Sequence, residues 1–311
     1  MTNGKPKVAF YWCASCGGCE EAVVDLADKI LDVAAAVEIV LWPVALDFKL
    51  KDVEAIPDGG IAATFINGAI RTSEQEEWAR LLRAKSQLVF AFGSCAHMGG
   101  IPGLANLWDR ESILETVYGD GVRPSVDVPR FFEAVHTLDE VIPVDYYVPG
   151  CPPTPGVVAA TLEFLLRGEL PERGSVLVSD HALCEECPRK DTRPTELTIE
   201  RFKRPHRIIA DEAQCLLAQG LLCLGPATAC GCGALCVNGN MPCSGCFGPV
   251  DRVRDFGAKA LSAVASAAGA KDPAEIVEAF ANIPDPAGTF YRYSLPASML
   301  RGRRGAPPAA A

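Results

Sequence analysis

The sequence predicts an α/β protein, in which a parallel β-sheet domain is followed by a cysteine-rich, mostly irregular domain with short helices. Two observations lead to this fold class. Short β-rich runs alternate with helical stretches over residues 1–170, and this alternation is typical of βαβ units with a parallel sheet. From about residue 171 the periodicity weakens, and nine of the fourteen cysteines lie between residues 171 and 250.

Local patterns predict the individual elements. Apolar, β-rich runs indicate strands at 8–12, 37–42, 61–66, 88–92 and 141–144. Helical periodicity indicates helices at 20–33, 73–85 and 156–167, and two further helices are expected at 251–267 and 273–281. We expect one domain at 1–170, a second at 171–300, and a mobile low-complexity tail at 301–311.

Twelve of the fourteen cysteines can be sorted into three sets of four. Four thiolates are the usual ligand set of a 4Fe–4S cluster, so the sequence predicts three such clusters and a role in electron transfer. Cys13 and Cys230 are left over, either as buried inert cysteines or as alternatives to Cys16 and Cys232. Set one is Cys16, Cys19, Cys95 and Cys151; set two is Cys184, Cys187, Cys215 and Cys223; set three is Cys232, Cys236, Cys243 and Cys246.

Two other uses of many cysteines fit less well. A disulfide scaffold is typical of small secreted chains, whereas this chain has 311 residues and begins with no charged and apolar signal segment. Structural zinc sites often join two Cys-x-x-Cys pairs about 15–20 residues apart. Only the C-terminal half contains spacings of that kind, and the wide spacing of set one excludes a zinc ribbon there.

The members of set one follow predicted strands. Cys16 and Cys19 come after the first strand, Cys95 follows the run 88–92, and Cys151 follows the run that ends near residue 148. Because ligands of parallel sheets bind at the carboxyl ends of the strands, we expect these four thiols to meet at one edge. Glycines between Cys16 and Cys19 allow the backbone to approach a cluster closely. Glu20 is expected to complement the dipole of the following helix, with a proton relay as the alternative.

Composition excludes several partners. The formal net charge of −10 argues against nucleic acid. A membrane span is not expected, because no uninterrupted apolar run reaches about 18 residues. Without a twin-arginine leader the chain is expected to be cytoplasmic.

Several segments together resemble the small subunit of NiFe hydrogenases, most closely the cytosolic methyl-viologen-reducing type that works with heterodisulfide reductase. No single segment is decisive, but together they cover the chain nearly from end to end. They are residues 12–26, 99–108, 148–153, 183–188, 219–228, 242–249 and 288–291.

This resemblance implies a flavodoxin-like first domain and a division of roles between chains. Set one would hold the proximal cluster, set three the medial cluster and set two the distal cluster. The hydrogen-activating NiFe centre would lie on a separate large subunit, so no catalytic residue is expected on this chain. In the wider family the distal cluster has a histidine where this chain has Cys184, and a proline often stands where this chain has Cys236. The family pattern also favours Cys16 and Cys232 over Cys13 and Cys230.

The resemblance implies partners as well. The large subunit would cover the edge that bears set one, near Trp12, Ile101, Leu104 and Trp108. A ferredoxin-like or flavin-bearing acceptor subunit, such as one of heterodisulfide reductase, would receive the electrons. Two alternatives remain open, an iron–sulfur subunit of a quinone reductase and the small subunit of a non-catalytic hydrogen sensor.

Overall fold

The computed structural model describes residues 4–119, 126–250, 253–269 and 272–301. The chain divides into two compact units. The first contains the residues up to Leu177 together with the segment that begins at Leu295, and the second is Val178–Ser294. The predicted mobile tail lies outside the described residues, apart from Arg301.

The first unit alternates strands and helices. Short 3₁₀ turns at Ile101–Leu107 and Leu138–Glu140 complete it. Its elements are β1 (Lys7–Trp12), α1 (Gly18–Val24), α2 (Lys29–Ala36), β2 (Glu38–Leu41), α3 (Leu50–Glu54), β3 (Ile61–Asn67), β4 (Ile70–Thr72), α4 (Ser73–Lys85), β5 (Ser86–Phe92), α5 (Ser94–Met98), α6 (Arg110–Tyr118), β6 (Phe131–His136), β7 (Tyr146–Val148) and α7 (Pro155–Arg167).

The second unit has only short helices among its described residues. Three 3₁₀ turns, at Lys190–Thr192, Pro205–Arg207 and Gly225–Ala227, lie between them. The helices are α8 (Leu183–Glu186), α9 (Leu235–Asn238), α10 (Phe256–Ala267), α11 (Pro273–Phe280) and α12 (Pro286–Phe290).

Five parallel strands form the main sheet in the order β2-β1-β3-β5-β7. Numbered along the chain, this is the order 2-1-3-4-5 of flavodoxin-like folds. The predicted fold class is therefore confirmed. The antiparallel pair of β4 and β6 was not predicted, because β4 has only three residues and gives no periodic signal.

Three predicted elements differ from the structure. Residues 141–144 are not a strand: Ile142 is buried in the core without strand pairing, and Pro143 has no N–H to donate to a ladder. The predicted helix 20–33 is two helices, because Ala27 takes a left-handed backbone conformation with φ 51° between them. The helix predicted at 251–267 begins at Phe256, after the Asp255 side chain accepts a hydrogen bond from the Ala258 N–H.

A row of aromatic rings fixes the strand register in the centre of the sheet. Phe10, Phe65, Phe90 and Tyr146 are register partners on β1, β3, β5 and β7. Neighbouring ring centroids lie 5.2, 4.6 and 5.3 Å apart along this row. Such pairs stabilise a fold beyond their buried area, and a slip of one residue would turn each ring to the other face. The row therefore aligns the carboxyl ends of these four strands.

Asp145 ties β5 to the start of β7 at the other end of the sheet. Its carboxylate accepts hydrogen bonds from Arg83 Nη1 at 2.6 Å and from the Val89 N–H at 2.8 Å. The Asp145 side chain is only 8% exposed, and Arg173 Nη1 lies 3.0 Å from its other oxygen. Removal of one partner from a buried ion pair leaves an uncompensated charge.

We expect Asp145→Ala to lower the free energy of unfolding by about 3 kcal/mol, since it removes the carboxylate that pairs with Arg83 and leaves the buried Val89 N–H without its side-chain acceptor. The control is Glu76→Ala, which removes the solvent-exposed i,i+4 pair with Arg80 and should cost under about 0.5 kcal/mol. Anaerobic urea titration followed by circular dichroism measures both variants. Equal losses would show that Asp145 does not anchor the sheet.

Candidate metal centres

The structure brings set one together at the carboxyl edge of the main sheet. Cys16 and Cys19 follow β1, Cys95 lies in α5 directly after β5, and Cys151 follows β7 and precedes a cis peptide bond to Pro152. Backbone hydrogen bonds connect the two later loops, from the N–H of Gly93 to the Val148 carbonyl and from the N–H of Ser94 to the Gly150 carbonyl, both at 2.8 Å. The loops that carry these thiols are therefore held in fixed relative positions.

The four thiols of set one lie close enough to affect one another in all six pairings. Burial is the main cause that raises the pKa values of Cys19, Cys95 and Cys151, and the neighbouring thiols raise them further. The pKa of Cys95 reaches about 12. Thiols gathered in this way suit a cationic metal core, which binds thiolates and releases their protons.

Glycines make room for these sulfurs. A Cβ atom at Gly93 would lie 2.4 Å from Cys19 Sγ, and one at Gly100 would lie 2.3 Å from Cys95 Sγ. Both glycines have a positive φ, at 86° and 58°, where side chains are disfavoured. The backbone at this edge thus forms a cradle that only glycine allows.

Cys13 lies in a different environment from set one. It is 5% exposed and packs in the apolar core of the sheet domain, and its N–H donates to the Asn67 carbonyl at 2.8 Å. Burial alone raises the pKa of its thiol, with no contribution from the thiols of set one. This position favours an inert core cysteine over an alternative to Cys16.

Glu20 is buried directly beside Cys19, at 3% exposure. Its carboxylate accepts hydrogen bonds from Asn67 Nδ2 at 2.6 Å and from Trp42 Nε1. Burial raises the pKa of Glu20, and the two hydrogen bonds oppose that rise. Glu20 is therefore not a solvated first-turn residue. No sequence pattern identified Asn67 or Trp42 as its partners, because they lie 47 and 22 residues away along the chain.

His97, two residues after Cys95, has its ring packed against Tyr147, with centroids 4.6 Å apart. Burial lowers the pKa of His97 to about 4. The imidazole is therefore neutral near pH 7.

Set two lines a single cavity in the second unit. Its wall contains all four thiols, together with Leu183, Leu216 and Gly225. A Cβ atom at Gly225 would lie 3.5 Å from Cys184 Sγ and 3.6 Å from Cys223 Sγ. The donor set, an apolar wall and a glycine that faces two sulfurs fit a cubane cluster.

Two arginines, which the sequence did not single out, place positive charge beside set two. Arg193 Nη1 lies 3.9 Å from Cys184 Sγ. Burial raises the pKa of the Cys184 thiol to about 11, while Arg193 opposes that rise. Arg189 is 5% exposed and donates to the carbonyls of Asp211, Gln214 and Val237. Both cations would offset the negative charge of four thiolates.

Set three is brought together in part. Cys243 and Cys246 lie near each other, and Cys232 packs against the apolar cluster that contains Cys243. Cys236, in α9, is exposed. The N–H of Cys243 also donates to Cys223 Sγ at 3.4 Å, so sets two and three adjoin within this unit.

Cys230 points away from set three. Its Sγ lies 3.8 Å from the Ser179 carbonyl, and the residue is 7% exposed. Cys232 Sγ instead lies 3.7 Å from Glu186 Oε1. The geometry favours Cys232 over Cys230 as the member of set three.

Two kinds of feature are absent from the described part of the chain. No three His, Cys, Asp or Glu side chains there are arranged to hold a single metal ion. In the same residues, no helix has the length and apolar character needed to cross a bilayer.

Comparison with known proteins identifies the family. The chain is 40% identical over 316 residues to the iron–sulfur subunit of the F420-non-reducing hydrogenase of Archaeoglobus profundus, covering 94% of this chain and 97% of that one. It is also 40% identical over 310 residues to the corresponding subunit of the F420-non-reducing hydrogenase of Methanothermobacter marburgensis, covering 95% and 96%. This chain belongs to the family of F420-non-reducing hydrogenase iron–sulfur subunits. The resemblance to a NiFe hydrogenase small subunit is thereby confirmed, as is the oxidoreductase class.

Two further matches concern parts of this hydrogenase subunit. The family described as NADH ubiquinone oxidoreductase, 20 Kd subunit, matches residues 16–165. The structure of a NiFeSe hydrogenase from Desulfovibrio vulgaris Hildenborough matches with a TM-score of 0.55 at 17% identity, covering 81% of this chain and 96% of that one. The likeness to the NiFeSe hydrogenase structure shows that the two chains share a fold.

We expect Gly93→Ala to remove the metal of set one, because the new Cβ would displace Cys19 Sγ. Iron per chain should fall by about four, the content of one cubane. The control is Gly59→Ala, whose glycine also has a positive φ, at 70°, but has no atom within 4 Å of the added Cβ. Atomic emission of anaerobically purified protein measures iron in both variants. Unchanged iron in Gly93→Ala would contradict the cradle.

Proposed function

We propose that this hydrogenase subunit relays electrons between the NiFe site of a partner large subunit and an acceptor subunit, through three 4Fe–4S clusters. Set one would hold the proximal cluster, set three the medial cluster and set two the distal cluster. The acceptor would be a ferredoxin-like or flavin-bearing subunit, such as one of heterodisulfide reductase. The observation that carries this proposal is the convergence of thiols separated by up to 135 residues at one sheet edge.

When bound, each cluster supplies reversible one-electron chemistry. This chain's own residues supply the rest. Thiolates would hold the metal, glycines would allow its approach, and apolar residues would line one side of the cluster at set two. Arg193 and Arg189 favour the gain of an electron there, because nearby positive charge stabilises added negative charge.

The surface near set one supports a docking face for the large subunit. Trp12 is 40% exposed and Ile101 is 46% exposed, although both are large and apolar. The indole of Trp12 packs beside Gly17, next to Cys16, and the N–H of Ile101 bonds to the Cys95 sulfur. Exposed aromatic and aliphatic side chains beside a functional site are typical of an interface core. Leu104 and Trp108, the other members of the predicted face, are half-buried.

The matches favour this proposal over the two alternatives. The quinone-reductase family match ends at residue 165 and so leaves sets two and three outside it. The hydrogenase relatives cover the chain with both sets. A non-catalytic sensor differs from the proposal in having no electron delivery, which an activity measurement can detect.

We expect Cys184→Ser, in the assembled complex with its large subunit, to slow hydrogen-dependent reduction of the acceptor at least about tenfold, because it removes one ligand of the exit cluster. Hydrogen–deuterium exchange should be unchanged, since it needs only the NiFe site. The matched control is Cys230→Ser, whose thiol contacts the Ser179 carbonyl rather than a set. It should leave both activities intact.

Loss of both activities in a correctly assembled Cys184→Ser complex would mean that the proposed relay order is wrong. A wild-type complex that exchanges deuterium but reduces no acceptor would instead support the sensor alternative.

A further inference from the structure

A cluster of basic side chains forms a second feature of the cysteine-rich unit, in a chain whose formal net charge is −10. A cavity of about 390 Å³ is lined by Arg201, Lys203, Arg204 and Arg207. All four side chains are exposed. Among the described residues, no acidic side chain lines this cavity and none forms an ion pair with these four cations, although Arg201 Nη2 donates to Asn282 Oδ1 at 3.5 Å. We call these four residues the basic surface.

The backbone beneath the basic surface is held rigidly. Phe202 is 1% exposed and packs edge-on against Phe280, with ring centroids 5.5 Å apart. Asn282 Nδ2 donates to the Phe202 carbonyl at 3.3 Å, and the Phe202 N–H donates to the Ala279 carbonyl. The cations therefore project from a fixed segment, which lowers the entropic cost of binding a partner.

The basic surface is joined directly to the segment that carries two thiols of set two. The N–H of Lys203 donates to the Gly220 carbonyl at 2.8 Å, and Lys203 pairs with Leu221 in a parallel bridge. Leu221 precedes Cys223 by two residues and follows Cys215 by six. A further cavity, of about 340 Å³, places the basic residues Arg189, Lys190 and Arg193 beside three thiols of set two, together with the acidic residues Glu185 and Asp191. Basic side chains thus outnumber acidic ones, three to two, around these thiols proposed to hold the exit cluster.

The surroundings of the basic surface favour a protein as its binding partner over a small anion. Ile209, adjacent to a lining residue of the cavity, is fully exposed at 101%. A large apolar side chain beside several unpaired cations resembles the mixed composition of protein interfaces, in which charge sets orientation and association rate. A small polyanion would use the cations but would leave Ile209 in water.

We propose that the basic surface docks an electron-acceptor protein with an acidic face. This inference rests on the proposed function, since it names the chemistry of the acceptor that takes electrons from set two. Complementary charge would steer the acceptor to the side of the unit where set two lies, and salt would weaken the encounter.

The test uses the complex of this chain with its large subunit, an acidic two-iron ferredoxin as acceptor, and hydrogen as reductant. The variant replaces all four basic residues by glutamine. At about 20 mM ionic strength we expect its second-order rate of ferredoxin reduction to fall at least about tenfold, the lower end of electrostatic steering. The difference should shrink at about 500 mM, where the Debye length is only a few ångströms.

The matched control removes four positive charges elsewhere, by replacing the exposed Lys5, Lys29, Lys49 and Lys51 with glutamine. Its rate should stay within about twofold of wild type, since steering depends on where charge lies as well as on net charge. Reduction of benzyl viologen by the basic-surface variant should not fall, because a small dication gains nothing from that surface. This dye reports whether the electron relay itself is intact.

Direct binding of the ferredoxin, measured by calorimetry on the same complexes, separates this inference from the proposed function. A dissociation constant raised at least about tenfold in the basic-surface variant, and not in the control, supports docking even in a complex that reduces no dye. Equal ferredoxin affinity and rate in wild type and variant would overturn the proposal. So would an effect confined to the binding of pyrophosphate, which would identify a small-anion site instead.

Discussion

The structure depends on the alignment of strand ends in the main sheet. Three thiols of set one, Cys19, Cys95 and Cys151, resist ionisation, because burial and repulsion from neighbouring thiols both raise their pKa values. They stay together because the aromatic row of Phe10, Phe65, Phe90 and Tyr146 fixes the register of the strands that carry them. The sheet therefore supplies, before any metal is bound, the geometry that thiols alone would oppose. Apolar packing in the sheet therefore stabilises an arrangement of set one that would be unfavourable for the thiols by themselves.

The cysteine-rich unit holds the thiols of sets two and three without a sheet. Its described helices are short, and two of its apolar clusters include thiols of sets two and three among their members. Metal–thiolate bonds can supply folding energy where regular structure is sparse. Charge is balanced locally as well, since Arg193 faces Cys184 and the buried Arg189 is held by backbone carbonyls.

Much of this arrangement could be predicted from sequence, for a physical reason. Parallel strands place their carboxyl ends at one edge, so the four thiols of set one could be grouped from strand positions alone. Hydrogen bonds between residues far apart in the sequence could not be predicted. Examples are Glu20 with Asn67, Arg189 with Val237, and Lys203 with Gly220. The run 141–144 was predicted as a strand because core burial and strand pairing both favour apolar residues, and here only burial applies. Cys13 stands three residues before Cys16 and could be an alternative to it by sequence, but it lies in the core.

The central claim is that twelve thiols hold three cubane clusters, and metal stoichiometry tests it most directly. Anaerobically purified protein should contain about twelve irons per chain, three times the four of one cubane, with little zinc. Plasma mass spectrometry gives both metals, and Mössbauer spectroscopy assigns the iron to 4Fe–4S clusters. About four irons per chain with stoichiometric zinc would contradict the claim, because it would leave set one as the only cluster site.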